Sequence, residues 1–261
     1  MDMTSGLVRV LTYNVAGLPG FLSASRPATN HPLVSPLLNH YHLVFAQEDF
    51  AYHEELVASA RHLYRMLPLP PVDTLFGDGL CGLSVFPLER AQRIRWSGCH
   101  GYLGYSSDCF GEKGFSVARA RLSHHVTVDI YNVHAEAGDS EDDVQTRRRG
   151  FQQLAAYIER HSESGPIIVA GDTNLETRVE YDRATFHRFM DATNLSDACD
   201  TLGCARPSVD RVMFRGSDRL ALEARTYRAD PRFVDQDGRD LSDHQAIAVE
   251  LAWHDRDSLP R

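Results

Sequence analysis

Apolar and polar residues alternate with a period of two along several short stretches of this chain, and with a helical period along others. Val8, Val10 and Thr12 lead by alternation into Asn14, a strand that Gly17-Leu18-Pro19-Gly20 brings to an end. A loop containing Pro27 and Pro32 follows, then a short helix over 33–41 and a buried strand over 43–47 with Glu48 at its end. The spacing of Leu56, Ala60 and Leu63 predicts a helix over 53–63. Pro68, Pro70 and Pro71 mark a loop, with strands expected over 80–86 and 91–96. Residues 97–114 are rich in Gly, Ser and aromatics and read as loop, and 115–122 with 125–133 form an antiparallel pair. The clearest helix spans 143–162, with Val144, Phe151, Leu154, Ala155 and Ile158 on one face and a capping box from Ser140 to Asp143. A strand over 166–170, a helix over 182–193, a cysteine-bearing loop and strands over 209–215, 220–227 and 245–251 complete the set.

No internal repeat, low-complexity tract or linker divides the chain, so a single domain over 1–261 is expected. Many strands mixed with a few helices predict an α/β sandwich: two packed mixed β-sheets with helices outside.

The strand ends carry the chemistry. The apolar run Ile167-Ile168-Val169-Ala170 ends in Gly171-Asp172-Thr173-Asn174, and about 70 residues on stands Ser242-Asp243-His244. A buried strand does not end in a carboxylate and a carboxamide without a reason, since desolvating them is costly unless they are paired or coordinate something. Their oxygens can hold a divalent cation or orient water, and an imidazole can move a proton near neutral pH.

Parity extends the set. Val8 and Val10 share a face with Asn14, and Val44 and Ala46 with Glu48. Val126, Val128 and Ile130 share one with His134, and Ile168 and Ala170 with Asp172. Each group alone reads first as a strand-end turn residue or cap; four of the same parity reverse that preference and are expected to ring one pocket. Glu48 is the candidate metal ligand, a hard oxygen donor suited to Mg²⁺ or Mn²⁺. His244 is the candidate general base, with Asp210 of Val209-Asp210-Arg211-Val212 as its orienter and Asp243 free to face the metal or the attacking water. His134 could donate a hydrogen bond to a phosphoryl oxygen or protonate a leaving group.

The net charge of -9 lowers the case for a nuclease, because a polyanion binder carries a basic face. Of 27 basic residues only Lys113 is a lysine, a point charge suited to a phosphate. Arg147–Arg149 are read as a solvated helix face. Cys99/Cys109 and Cys199/Cys204 are short-range pairs that match no standard zinc motif and could be disulfides, which would need an oxidising compartment. The expected location is therefore outside the cell if this is a mature fragment with those bridges, and the cytoplasm otherwise. No window has the apolar length of a membrane span, and Met1 to Gly6 lacks the features of a signal peptide.

In order along the chain, Thr12-Tyr13-Asn14, Gln47-Glu48, Tyr131-Asn132-Val133-His134, Gly171-Asp172-Thr173-Asn174, Val209-Asp210-Arg211-Val212 and Ser242-Asp243-His244 resemble the endonuclease/exonuclease/phosphatase superfamily. That resemblance implies a DNase I-like, four-layered α/β sandwich and a Mg²⁺-dependent phosphoesterase. It implies Glu48 on the metal with Asn14 beside metal and phosphate, Asp172 and Asn174 positioning water and phosphate, Asp243 at the metal, and Asp210 supporting His244 as base. Lys113-Gly114-Phe115, His134-Ala135-Glu136-Ala137-Gly138-Asp139-Ser140 with the Arg-bearing helix after it, Asp78-Gly79-Leu80, Pro87-Leu88 and Gln47-Glu48-Asp49-Phe50 with Tyr52-His53 resemble its bacterial neutral sphingomyelinase and phospholipase C-like branch. The long aromatic-tipped hairpin of lipid-cleaving members has no evident counterpart; the nearest candidate is Tyr102-Leu103-Gly104-Tyr105.

The expected partner is thus a phosphodiester, a lipid head group or another small diester, met by a monomer that touches a membrane surface transiently. A nuclease acting on DNA or RNA, an inositol-phosphate phosphatase, and a binding module without catalysis are the alternatives.

Overall fold

Two parallel strand pairs set the architecture, because each needs a crossover that a hairpin cannot supply. The computed structural model describes residues 3–20, 25–72, 74–101, 109, 111–205 and 208–258. In it β1 (Ser5–Asn14) lies parallel to β2 (Leu43–Gln47), and α1 (Pro27–Leu37) connects them. Likewise β7 (Thr127–His134) lies parallel to β8 (Ile167–Asp172), joined through α3 (Glu141–Ser162). Every other pair is antiparallel.

The first sheet runs β11 (Leu220–Ala229), β12 (Ile247–Asp255), β1, β2, β4 (Cys81–Ser84), β3 (Tyr64–Met66) from edge to edge. The second runs β5 (Leu88–Arg95), β6 (Gly114–Arg121), β7, β8, β10 (Asp210–Arg215), β9 (Ser196–Asp197). Each sheet thus has its parallel pair at the centre.

Three apolar layers hold these sheets. Val8, Val10, Phe45, Ile130, Ile168, Val212 and Val249 fill the space between them. Val34 of α1 and Leu56 of α2 (His53–Val57) cover the outer face of the first sheet, against Leu11, Tyr13, Val44 and Ala46. Phe151, Leu154 and Ile158 of α3 and Phe186 and Phe189 of α4 (Glu180–Thr193) cover the second. The layering is helix, sheet, sheet, helix, the sandwich the sequence predicts.

Several local expectations are corrected. The helix expected over 33–41 starts earlier, at Pro27, and ends at Leu37. Proline in a first turn costs little because that N–H has no helical partner, and α1 continues through Pro32 and Pro36 because tertiary contacts hold it. Asn30 donates to Leu241 O, and the His31 ring bridges Val15 O and Tyr52 O. The helix expected over 53–63 stops at Val57, and Leu63 is exposed rather than on a buried face. The short strand β3 escaped the sequence pattern, and the loop of Cys199 and Cys204 is partly helical, α5 (Ala198–Leu202), capped by Asp197.

Arg147 is not solvated. It is among the largest fully buried side chains, donating to Asp182 Oδ1 from Nε and Nη2 and to the carbonyls of Glu136 and Gly138 from Nη1. Arg148 is partly buried, and Arg149 alone of the three is exposed. The predicted capping box of Ser140 and Asp143 is present at the start of α3.

Disulfides join Cys99 to Cys109 and Cys199 to Cys204, while Cys81 is a buried free thiol. The candidate tip Tyr102-Leu103-Gly104-Tyr105 lies outside the described residues. Among the described residues no helix is long and apolar enough to cross a membrane.

Candidate active site

The C-terminal ends of both parallel pairs meet at one rim of the sandwich, and the predicted polar groups meet there. Asn14 ends β1, His134 ends β7 and Asp172 ends β8, each on the strand face that packs between the sheets. Asp210 opens β10 opposite Asp172 in register, and its face carries Val212 and Phe214 of the same inner layer. Strand parity therefore extends to Asp210, which the sequence proposes only as an orienter.

Glu48 arrives differently. Val44 and Ala46, expected to share its face, pack outward under α1, and Leu43 and Phe45 face inward. A left-handed backbone at Glu48 (φ 58) reverses the parity and returns the carboxylate to the rim. Its carbonyl accepts from the N–H groups of Gly17 and Phe50, a tight turn that stabilises this conformation. Such backbone in a residue other than Gly is costly, on the order of 1 kcal/mol, and concentrates at functional sites.

Asn14 brackets two carboxylates: its Nδ2 donates at 3.0 Å to Glu48 Oε1 and at 3.0 Å to Asp172 Oδ2. Its Oδ1 accepts from Ala16 N–H. His134 Nε2 stands 3.7 Å from each of the same oxygens, and among the described residues neither ring nitrogen has a hydrogen-bond partner although the side chain is fully buried. Burial first, then Lys113 and His244, holds His134 well below its ordinary range, so the ring is neutral and keeps one N–H. Burial likewise raises Glu48 and Asp172, with the charge of Asp210 adding to the rise of Asp172.

His244 lies opposite. Its Nδ1 donates to Asp210 Oδ2 at 2.9 Å and Nε2 lies 3.8 Å from Asp172 Oδ2. Burial opposes its charged form, but the hydrogen bond to Asp210 and the charges of Asp172, Asp210 and Asp243 outweigh it and push it up to about 10. Ser242, beside it, donates to Asn14 O at 2.7 Å and accepts from His244 N–H, tying this loop to β1.

Asn174 adopts a left-handed turn (φ 49) in which its N–H donates to Asp172 Oδ1 and its Nδ2 to Ala135 O. Lys113 Nζ reaches the same carbonyl at 3.3 Å, and its charge is felt at Glu48, His134 and Asp172. Gly171 has φ 151, and a Cβ there would meet Val133 O at 2.0 Å, so only glycine lets β8 present Asp172 at this depth. Asp243 is exposed, accepts from Ser242 Oγ at 3.3 Å, and adds its charge to those acting on His244.

Beneath the rim lies a buried amide pair that the sequence did not single out. Gln47 Nε2 donates to Asn132 Oδ1 at 2.7 Å, and Asn132 Nδ2 donates to Ala46 O and Cys81 O, joining one sheet to the other. Its signal was available: Asn132 lies two residues before His134 on the same face.

The donor set suits a divalent cation. A buried Asp172 and a partly buried Glu48, both raised, face a neutral imidazole, an arrangement whose charge a hard cation would balance through oxygen ligands. Asp172, Asp210 and His244 also bring ligand atoms within 4.8 Å of one another.

No family model matches the chain. It is 31% identical over 271 aligned residues to a sphingomyelinase of Mycobacterium tuberculosis, covering 95% of this chain and 53% of the relative. The chain therefore spans about half the length of the curated relatives it matches. Its fold is similar to sphingomyelinase C of Streptomyces griseocarneus (TM-score 0.69, 19% identity, 94% of this chain and 99% of that one). It is also similar to beta toxin of Staphylococcus aureus in a structure with bound magnesium ions (TM-score 0.69, 15% identity, 94% and 99%).

Proposed function

We propose, from the premise that the chain is a sphingomyelinase homologue on the endonuclease/exonuclease/phosphatase fold, that it is a metal-dependent phosphodiesterase. Its substrate in this reading is the phosphodiester of a phospholipid head group, cleaved by in-line attack of water. The observation that carries the reading is the Asp210–His244 pair aimed across the sheet junction at the Glu48–Asn14–Asp172 cluster.

Each residue has a role that its surroundings favour. Asp210 fixes the His244 tautomer, so that Nε2 faces the cluster and takes the proton of the attacking water. Asp172 and Asn174 orient that water and the phosphate, with Asn174 locked by its own bond to Asp172. The neutral His134 donates its free N–H to a phosphoryl oxygen, and Lys113 adds a positive charge on the same side. Glu48 would hold Mg²⁺, with Asn14 keeping its carboxylate in place and Asp243 at the solvent edge; Mn²⁺ fits the same oxygens. When bound, the cation would stabilise negative charge on the phosphoryl oxygens.

Purified protein with Mg²⁺ or Mn²⁺, offered sphingomyelin, lysophospholipids, plasmid DNA and inositol phosphates, is expected to hydrolyse the lipid diesters. EDTA should stop the reaction and added Mg²⁺ restore it. Undiminished hydrolysis in EDTA would remove the metal from the mechanism. Cleavage of plasmid without lipid would make the protein a nuclease.

A further inference from the structure

Four of the twelve exposed large apolar side chains among the described residues fall within nine positions, at Leu67, Leu69, Val72 and Leu75. They belong to the loop from β3 to β4, with Pro70 and Pro71 exposed beside them. From Leu67 to Phe76 the sequence has one ionisable residue, Asp73. Leucines scattered singly over a surface need no explanation, but a cluster this dense on one loop does.

The loop is held in place. Arg93 donates to Leu67 O, Leu69 N–H donates to Asp78 Oδ1, and Val72 N–H donates to Glu112 Oε1. The chain closes on itself at Gly77, where a Cβ would lie 1.7 Å from Leu69 O. The exposed apolar side chains thus sit on a frame braced at Leu67 O, Leu69 N–H and Val72 N–H.

Its base adjoins the candidate site. Asp49 N–H, next to Glu48, donates to Gly79 O, and the Phe50 and Phe76 rings pack 5.6 Å apart. Glu112 N–H, next to Lys113, donates to Gly77 O. An open groove of about 260 Å³ between Asp49, His53 and Pro68–Pro71 separates the loop from the body.

We propose that this loop, Leu67–Phe76, seats the candidate site on the surface of a zwitterionic phospholipid bilayer, its apolar side chains entering the head-group boundary beside Glu48 and Lys113. The proposal rests on the reading of the site as one for a lipid diester. A site for such a diester must reach a bilayer surface, and the loop beside it is apolar and nearly uncharged. The net charge of -9 would repel an anionic bilayer, so the attraction must come from apolar burial rather than counter-charge.

Flotation with phosphatidylcholine vesicles in EDTA tests it in the absence of turnover. Wild-type protein is expected to float. The triple variant L69D/V72D/L75D should partition at least about tenfold less, with its thermal midpoint unchanged and its Mg²⁺-dependent hydrolysis of water-soluble bis(p-nitrophenyl) phosphate within about twofold of wild type. L75W should bind more tightly than wild type and show blue-shifted emission on vesicles. Raising ionic strength about tenfold should leave binding intact.

Equal flotation of the triple variant, or flotation that requires anionic lipid, would overturn the proposal. So would loss of soluble-substrate hydrolysis at an unchanged midpoint, which would place the loop in the chemistry. A dimer in sedimentation that the triple variant abolishes, without vesicle binding, would make the occupant a second copy and overturn it as well. Loop-dependent flotation by a protein that hydrolyses no diester would leave this inference standing and sink the proposed function instead.

Discussion

Replacing His244 by alanine is expected to lower kcat for a diester substrate by about two to four orders of magnitude, the range supplied by a positioned general base. KM should change little, because His134, Asn174 and Lys113 remain to meet the phosphate. Asp210→Asn should cost less, about 10–100-fold, since it disturbs the tautomer and aim of the imidazole without deleting it. Steady-state kinetics of both variants, with and without added imidazole, check the assignment. An Asp210→Asn loss exceeding that of His244→Ala would transfer the base role to the carboxylate.

The same residue gives a pH dependence of known sign. In the folded chain His244 is pushed up to about 10 from an ordinary 6.5 by its carboxylate partners, against the opposing effect of burial. Its contribution to stability is therefore fully present below about pH 6.5 and is lost as pH rises through about 10. Thermal midpoints of wild type and His244→Ala in EDTA should accordingly converge across that interval. A charged imidazole cannot accept a proton, and a divalent cation bound by the neighbouring carboxylates would lower His244 toward neutrality. The His244 ring resonances, followed through a pH titration by NMR, should titrate lower with Mg²⁺ than without it.

Arg147→Ala is expected to cost about 3–5 kcal/mol, the usual consequence of leaving a buried carboxylate without its partner. The partner is Asp182, itself buried and raised by that burial, with Arg147 as the main opposing influence. At roughly 2–4 °C per kcal/mol for a chain of this size, the thermal midpoint should fall by roughly 6–20 °C. Arg147→Met with Asp182→Leu should recover much of the loss, since an apolar pair of similar volume removes both charges together. Activity should still suffer in the double variant. Arg147 also holds the carbonyls of Glu136 and Gly138, just after the Ala135 carbonyl on which Asn174 and Lys113 rest.

Particular residues show what the sequence could and could not disclose. Asn14, His134 and Asp172 were legible because each is the last residue of its strand, so a period of two carries the inward face through to it. β2 gave no such guidance. Glu48 lies one residue beyond the strand, where a left-handed backbone resets the alternation that Val44 and Ala46 set. Glu48 was found by its place at the strand end, while the left-handed turn that delivers it has no signature in a glutamate.

Arg147 was misread because charge was weighed over position. It precedes Phe151 by four residues and Leu154 by seven, on the buried stripe of α3. The start of α1 was hidden by prolines that read as breakers when each side chain is considered alone. Asn30 and His31, whose long-range hydrogen bonds hold that helix, signal nothing locally. Asp243 illustrates the converse. Its neighbour His244 enters the cluster, and the backbone turn between them leaves the aspartate in solvent.

The site draws Asn14, Glu48 and His244 from the side of the first sheet, and His134, Asp172 and Asp210 from the second. The separation of His244, Glu48 and Asn14 from Asp172 is thus measured out by the apolar layer between the sheets, as a shim sets the gap between two plates. Val10, Ile130, Ile168 and Val212 touch no substrate in any reading, yet their bulk sets that gap. Thinning or thickening that layer by a methyl group would reach the chemistry as a change of distance, so variants far from the rim should behave as kinetic variants before they behave as unstable ones.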